Sequence, residues 1–280
     1  MKFSKMHGTG NDFIITGKDA VTSESSDAAE LSKIICHRHF GVGADGFMFY
    51  MDSDVADIKM QYYNSDGTKA EMCGNGIRCF ARYVYEKGKV ENTEFTIETD
   101  AGVYKVAVEE KCLVEVEMGN PISDACSVPA IGGRSEKFFN EEIETQFGKI
   151  EVSAVRMGVP HTVVFEVLDE PHGVEKWGCE IEKLKKVFPE GTNVNFVKVL
   201  SESEIAVETW ERGAGKTLSC GTGVCACAYL AHIFGYVGEK VDVKVPGGRL
   251  SIRISENSLY MKGEAVLICD GDFHMEKCDL

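Results

Sequence analysis

What the sequence lacks narrows the field first. No stretch approaches the roughly 20 apolar residues of a membrane span, and Met1-Lys2-Phe3-Ser4-Lys5-Met6-His7-Gly8 holds no apolar run of signal-peptide length. Basic charge is not in excess. The formal net charge is −15, which argues against a nucleic-acid-binding surface and leaves room for a locally cationic site. No Cys-x-x-Cys pair occurs among Cys73, Cys79, Cys220, Cys225 and Cys227, so the usual signature of a zinc site is missing. Gly215-Lys216-Thr217 lacks the glycine a phosphate loop needs five positions earlier, where Trp210 stands. Gly41 to Gly46 is a glycine-rich loop for which a dinucleotide site is not expected.

What remains is an ordinary soluble composition, 44% hydrophobic and 27% charged over 280 residues, long enough for two modest domains. The 11 cysteines are odd in number. Together with the absence of a signal-type run, they point to free thiols in a reducing cytoplasm. Cys36, Cys112 and Cys269 have apolar neighbours and read as buried packing residues.

Two stretches answer each other across the chain: Cys73-Gly74-Asn75-Gly76 and Cys220-Gly221-Thr222-Gly223. Behind the first, Ile77, Phe80, Ala81 and Val84 are spaced i, i+3, i+4, i+7. Behind the second, Val224, Cys227, Ala228 and Ala231 repeat the spacing. Each predicts a helix with one buried face and a thiol at its start. The first N–H groups of a helix are unpaired and carry partial positive charge, which favours thiolate. The dipole contributes only about 0.3–1 kcal/mol at exposed sites, so a larger effect needs other groups. Glycines let N–H groups approach an anion closely. Two such helix starts, facing each other, suit a carboxylate held between two thiols, as stereoinversion of an amino acid requires.

Further motifs accompany this pair: Met6 to Phe13, His39 to Gly46, Tyr63-Asn64-Ser65-Asp66-Gly67, Thr192-Asn193-Val194-Asn195-Phe196 and Glu211-Arg212-Gly213-Ala214-Gly215. In this order, over nearly the whole chain, they resemble the diaminopimelate epimerase family. The resemblance implies an α+β fold of two similar domains, each a barrel-like, mostly antiparallel sheet around a central helix, with the active site in the cleft between them. It implies a pyridoxal-free isomerase with no cofactor and no metal, acting in lysine and peptidoglycan biosynthesis. Cys73 and Cys220 would be the acid–base pair, and His161 and Glu211 would tune the thiols. Gly74, Asn75, Gly221 and Thr222 would bind the reacting carboxylate. Asn11, Asn64, Asn193, Glu211 and Arg212 would hold the rest of a small amino-acid substrate, with Arg212 on the distal carboxylate. Read from the residues alone, Asn11 and Asn64 are equally turn formers, Arg212 a surface charge and His161 a core histidine. His37 and His39 suit a helix C-terminus better than a metal. A homodimer is the assembly the family often forms. Nucleic acid and membrane are not expected partners.

Three departures bear on substrate. Val159 replaces the family's asparagine before Pro160-His161, Lys216 replaces a glutamate, and Glu264 replaces a proline. Histidine or lanthionine, which relatives of this fold use, are therefore alternative substrates. A thiol redox or metal-binding protein is the alternative outside enzymology of this kind.

Met118-Gly119-Asn120-Pro121 resembles Met157-Gly158-Val159-Pro160 and hints at duplicated halves. The expected domains are 1–121, with the tail 269–280 returning to it, and 122–268. Expected helices run from Asp27 through Ile35 and over Val174–Phe188. Expected strands include Phe13–Ile15, Lys59–Tyr63, Glu94–Thr99, Val103–Val108, Cys112–Met118, Ile150–Val155, Thr162–Val167, Asn193–Val199, Glu204–Trp210, Lys240–Val245 and Arg249–Ile254.

Overall fold

The computed structural model describes residues 1–24, 27–133, 135–165 and 173–275. The chain falls into two compact units, Met1–Val116 with Gly263–Leu280, and Glu117–Lys262. The boundary thus lies after Val116 rather than after Pro121. The return begins at Gly263, ahead of residue 269, because a whole strand joins the first unit. Val167, Pro171 and the tail residues 276–280 lie outside the described residues.

The first unit contains β1 (Lys2–Gly8), β2 (Asn11–Gly17), α1 (Lys18–Glu24), α2 (Ala28–Cys36), β3 (Gly46–Met51), β4 (Ile58–Asn64), α3 (Gly74–Glu86), β5 (Glu94–Thr99), β6 (Gly102–Val108) and the start of β7 (Leu113–Gly119). The second contains β8 (Glu141–Thr145), β9 (Gly148–Met157), β10 (Val159–Val164), α4 (Gly173–Glu182), β11 (Asn193–Ser201), β12 (Glu204–Glu211), β13 (Gly215–Thr217), α5 (Gly221–Ile233), β14 (Lys240–Val245), β15 (Gly248–Ile254) and most of β16 (Leu259–Glu264). β17 (Val266–Asp272) belongs to the first unit and pairs antiparallel with β1.

The two units repeat one pairing pattern. In the first, β1 is antiparallel to β2, β2 parallel to β3, β3 antiparallel to β4, β4 parallel to β5, and β5 antiparallel to β6. In the second, β9 and β10, β10 and β11, β11 and β12, β12 and β14, and β14 and β15 follow the same sequence of directions. Helices α2 and α4 fall in the same crossover of each unit. Helices α3 and α5 follow the equivalent strands β4 and β12, with the short β13 intervening in the second unit. The fold is α+β with mostly antiparallel sheets.

Both central helices are buried where their spacing predicts. Ile77, Phe80, Ala81 and Val84 are fully buried in α3, and Val224, Cys227, Ala228 and Ala231 in α5. Each large apolar side chain so placed contributes about 1.5–3 kcal/mol relative to exposure. Asp27 caps α2 by accepting from Ala29 N at 2.9 Å and Glu30 N at 3.4 Å.

Some expectations change. Helix α4 stops at Glu182, not Phe188, because Leu184 N turns back to Ile181 O at 3.2 Å. The tighter turns that follow put Phe188 into the second unit's core with Ile181. Cys36 is buried, but Cys112 is half-buried and Cys269 is exposed. Cys269 lies on β17, where Ile268, Cys269 and Asp270 are all exposed. Among the described residues, no helix is long and apolar enough to cross a membrane.

Candidate active site

In the first unit, the chain approaches α3 through a tight hairpin. Thr9 and Gly10 connect β1 and β2 with φ of 49° and 86°, the left-handed pair that a two-residue hairpin turn requires. Positive φ is costly for a β-branched residue. Thr9 is held there by its hydroxyl, which donates to Asn75 Oδ1 at 3.1 Å. The turn delivers Asn11 to the start of α3, where Cys73 Sγ donates to Asn11 Oδ1 at 3.6 Å. Asn11 Nδ2 donates to Asp45 Oδ2 at 2.7 Å, so a carboxylate fixes the amide with its oxygen toward the thiol. Asp45 in turn receives Asp12 N at 3.1 Å and Arg38 Nη2 at 2.7 Å. Burial opposes ionisation of Asp12, but hydrogen bonds from Arg38 and Lys5 outweigh it and hold the carboxyl below its ordinary range.

Cys73 is the N-cap of α3 in extended backbone, and its side chain makes no capping bond. Its thiol is therefore not spent on the helix end. Asn75 is buried, and its Oδ1 also accepts from Arg78 Nη2 at 3.0 Å. Arg78 is fully buried and donates through Nη1 to Gly74 O at 2.9 Å. A guanidinium beneath the first turn adds positive potential to the helix start, which the residue pattern alone did not reveal. Asn64 sits at the end of β4, where its Nδ2 donates to Thr68 Oγ1 at 3.0 Å and Gly67 N returns to its carbonyl at 2.9 Å.

In the second unit, Cys220 is the N-cap of α5, again without a side-chain cap, and it is buried. Thr222 Oγ1 lies 3.5 Å from Cys220 Sγ and 3.0 Å from His161 Nε2. His161 is fully buried in β10. Burial, followed by the Arg212 charge, pushes its pKa down to about 3, so the ring is neutral. It touches Thr222 rather than acting as a cation on the thiol. On its other side, His161 Nδ1 is 3.3 Å from Asn195 Nδ2. Asn195 and Thr209, which complete this buried chain at 3.1 Å, were not singled out from the sequence. The available signal was two asparagines, 193 and 195, on one face of a strand, where asparagine is usually depleted.

Glu211 lies at the end of β12. Burial raises its pKa, opposed by hydrogen bonds from Thr217 and from the Cys220 thiol. Thr217 Oγ1 donates to Glu211 Oε1 at 2.7 Å. Asn193 is occupied at both ends, with Nδ2 donating to Pro160 O at 3.2 Å and Oδ1 accepting Arg212 N at 2.9 Å. The exposed Arg212 side chain donates to Glu190 O at 2.8 Å. Of the departures, Val159 opens β10 and is 38% exposed. Lys216 pairs across strands with Glu208 at 2.9 Å. Gly41–Gly46 leads into a strand rather than a helix, so the dinucleotide context is absent. Among the described residues, no three His, Cys, Asp or Glu side chains converge as a metal ion would need.

The chain matches the family model described as Diaminopimelate epimerase over residues 3–123 and 153–268. It is 46% identical to a diaminopimelate epimerase of Alkaliphilus metalliredigens, over 97% of this chain and 96% of that one. It is 44% identical to one of Caldanaerobacter subterraneus subsp. tengcongensis, over 98% and 100%. Among solved structures it resembles a probable proline racemase from Agrobacterium radiobacter, with TM-score 0.72 and 16% identity over 99% of this chain and 94% of that one. It also resembles a hydroxyproline epimerase from Agrobacterium vitis, with TM-score 0.71 and 15% identity over 97% and 91%. At those identities the structural likeness concerns the fold alone.

Proposed function

The chain belongs to the diaminopimelate epimerase family and is an isomerase, and on that premise we propose that it interconverts LL-2,6-diaminopimelate and meso-diaminopimelate, in lysine and peptidoglycan biosynthesis, with Cys73 and Cys220 as the two bases. The observation that carries this reading is the duplicated placement of a thiol at the N-cap of each central helix, with neither thiol spent on capping.

The chemistry follows from the groups present. One cysteine, as thiolate, takes the α-proton and becomes a thiol. The opposite cysteine gives its S–H proton to the other face and becomes a thiolate. The reverse reaction exchanges the roles, so no external acid, base or oxidant is consumed. Charge that develops on the substrate carboxylate would meet the first-turn N–H groups of Gly74, Asn75, Gly221 and Thr222. The helix dipole supplies up to about 2 kcal/mol in partly buried geometry. Oriented N–H donors at such a position are worth about 2.7–4 kcal/mol each in other enzymes, so they outweigh the dipole. Glu211 is a local store for the Cys220 proton. Arg212 has the chemistry for the distal carboxylate.

The test is proton NMR with LL-diaminopimelate in deuterium oxide, without pyridoxal phosphate. The expected result is loss of the α-proton signal and appearance of the meso isomer. Cys73→Ser and Cys220→Ser should each slow the exchange by about 10²–10⁴-fold, the range for a lost acid or base. Full activity in either variant would overturn the thiol assignment.

A second reading keeps the chemistry and changes the substrate, and Val159 favours it. Val159 opens β10 as Asn11 opens β2, so the polar contact Asn11 offers has no counterpart there. A panel of other amino acids, run in parallel, decides between the two.

A further inference from the structure

We propose that Asn195 is a positioning residue for Cys220: its amide fixes which nitrogen of His161 carries the hydrogen, and so aims the Thr222 hydroxyl hydrogen at the Cys220 sulfur. The inference rests on the reading of Cys220 as a reacting thiol.

The argument is a chain of donors and acceptors with one free choice removed at each link. Asn195 Nδ2 donates to the backbone carbonyl of Thr162 at 3.1 Å. A carbonyl only accepts, so the amide cannot be flipped. Asn195 Oδ1 then accepts the Thr209 hydroxyl at 3.1 Å. The second Nδ2 hydrogen faces His161 Nδ1 at 3.3 Å, so Nδ1 must accept. A neutral imidazole with an accepting Nδ1 carries its hydrogen on Nε2. The ring is neutral because its burial pushes the pKa down to about 3. Nε2–H therefore donates to Thr222 Oγ1 at 3.0 Å. With a lone pair so engaged, the hydroxyl turns its own hydrogen to Cys220 Sγ at 3.5 Å. The bond favours thiolate over thiol, because a sulfur anion is the better acceptor.

Glycine 223 supports the same placement. A Cβ there would stand 2.3 Å from Asn195 Oδ1, so the second glycine of Cys-Gly-x-Gly makes room for this amide against α5. Asn195, His161 and Thr209 are all buried, so water does not compete for these bonds.

Two measurements test the proposal, and neither needs turnover. In protein with ¹⁵N-labelled histidine, the His161 resonances, identified by their loss in His161→Phe, should show hydrogen on Nε2 and none on Nδ1. The opposite tautomer overturns the proposal whatever any variant does. Asn195→Met should then slow iodoacetamide alkylation of Cys220 at pH 7 by about tenfold, the scale of one lost hydrogen bond to a charged group. Cys73, followed in the same digest by mass spectrometry, should keep its rate. Thr222→Val should give a similar loss, and the double variant no more than the larger single one. Unchanged Cys220 reactivity, or equal slowing of Cys73, would overturn the role. If Asn195→Met does not fold, Thr209→Val replaces it, with a smaller loss expected and the same criteria. Failure of the epimerase reading would show instead as absent α-proton exchange in the unaltered protein, with these outcomes unaffected.

Discussion

At equivalent points of the two units, the same backbone carries opposite chemistry. Phe13 pairs with Gly46 across the parallel strands β2 and β3, and His161 pairs with Asn193 across β10 and β11. Two residues on, Met48 stands opposite Ile15 where Asn195 stands opposite Val163. Gly46 pairs with Asn64, and extending the Val194–Trp210 register by one step sets Asn193 against Glu211. So the apolar Phe13 and Met48 correspond to His161 and Asn195, and the neutral Asn64 corresponds to the ionisable Glu211. The second glycine of each motif touches these same positions: a Cβ on Gly76 would meet Met48 Cε at 2.2 Å, and one on Gly223 would meet Asn195 Oδ1 at 2.3 Å. The first thiol donates to an amide oxygen, Asn11 Oδ1, from outside its helix. The second is coupled to titratable and hydroxyl groups. Duplication supplies the symmetric position, and divergence of the supporting strands makes the two thiols unequal.

The glycine pair breaks this comparison most sharply. Gly223→Ala should reduce kcat by up to about 100-fold, because the added methyl must expel an amide held by three hydrogen bonds, and overpacking costs about 1–3 kcal/mol. Gly76→Ala should cost less than about tenfold, since the obstructing atom is the end of a flexible methionine. Steady-state kinetics on both variants checks this, and equal losses would refute the contrast.

Acid sharpens it next. His161 binds its proton less readily folded, at about 3, than at its ordinary 6.5. Between those values the unfolded chain holds more protons, so stability is full above about pH 6.5 and falls as pH drops toward 3. The slope of about 1.4 kcal/mol per pH unit gives a loss of about 2 kcal/mol at pH 5. Urea unfolding at pH 7 and pH 5 should show that loss for the unaltered protein, and His161→Phe, which copies Phe13, should remove it. Persistence of the full acid loss in that variant would assign it elsewhere.

The smallest effect should come from Lys216→Glu. Its partner Glu208 is on the surface, and exposed pairs contribute about 0–1 kcal/mol. Thermal melting should shift little, and kcat should hold.

These differences explain what could be read from the chain. The stripes of α3 and α5 are local and periodic, so Ile77 to Val84 and Val224 to Ala231 announced themselves. Strands with alternating faces, such as β5, were legible for the same reason. β3 was not, because Gly-Phe-Met-Phe-Tyr-Met has no polar alternate to mark its period, and the short β8 offers only one clear turn of alternation. β16 and β17, with glycine and acidic residues inside them, lack strand composition. The Asn195–His161–Thr222 chain joins residues 34 and 61 positions apart. No local pattern encodes such contacts. Cys269 misled because apolar neighbours in sequence do not fix which face of a strand turns to solvent.

The return of β17 to β1 has a consequence for how the protein is made. The second unit, Glu117–Lys262, is continuous in sequence, and its strands from β8 to β15 are available once those residues have left the ribosome. The first unit, although synthesised first, lacks an edge partner for β1 until Val266–Asp272 emerges. The leading unit is therefore complete only after the second has been synthesised, unlike a leading domain that is continuous in sequence. Nascent chains would carry Cys73, at the start of α3, in a unit still missing its last strand when every residue of the unit that holds Cys220 has been made.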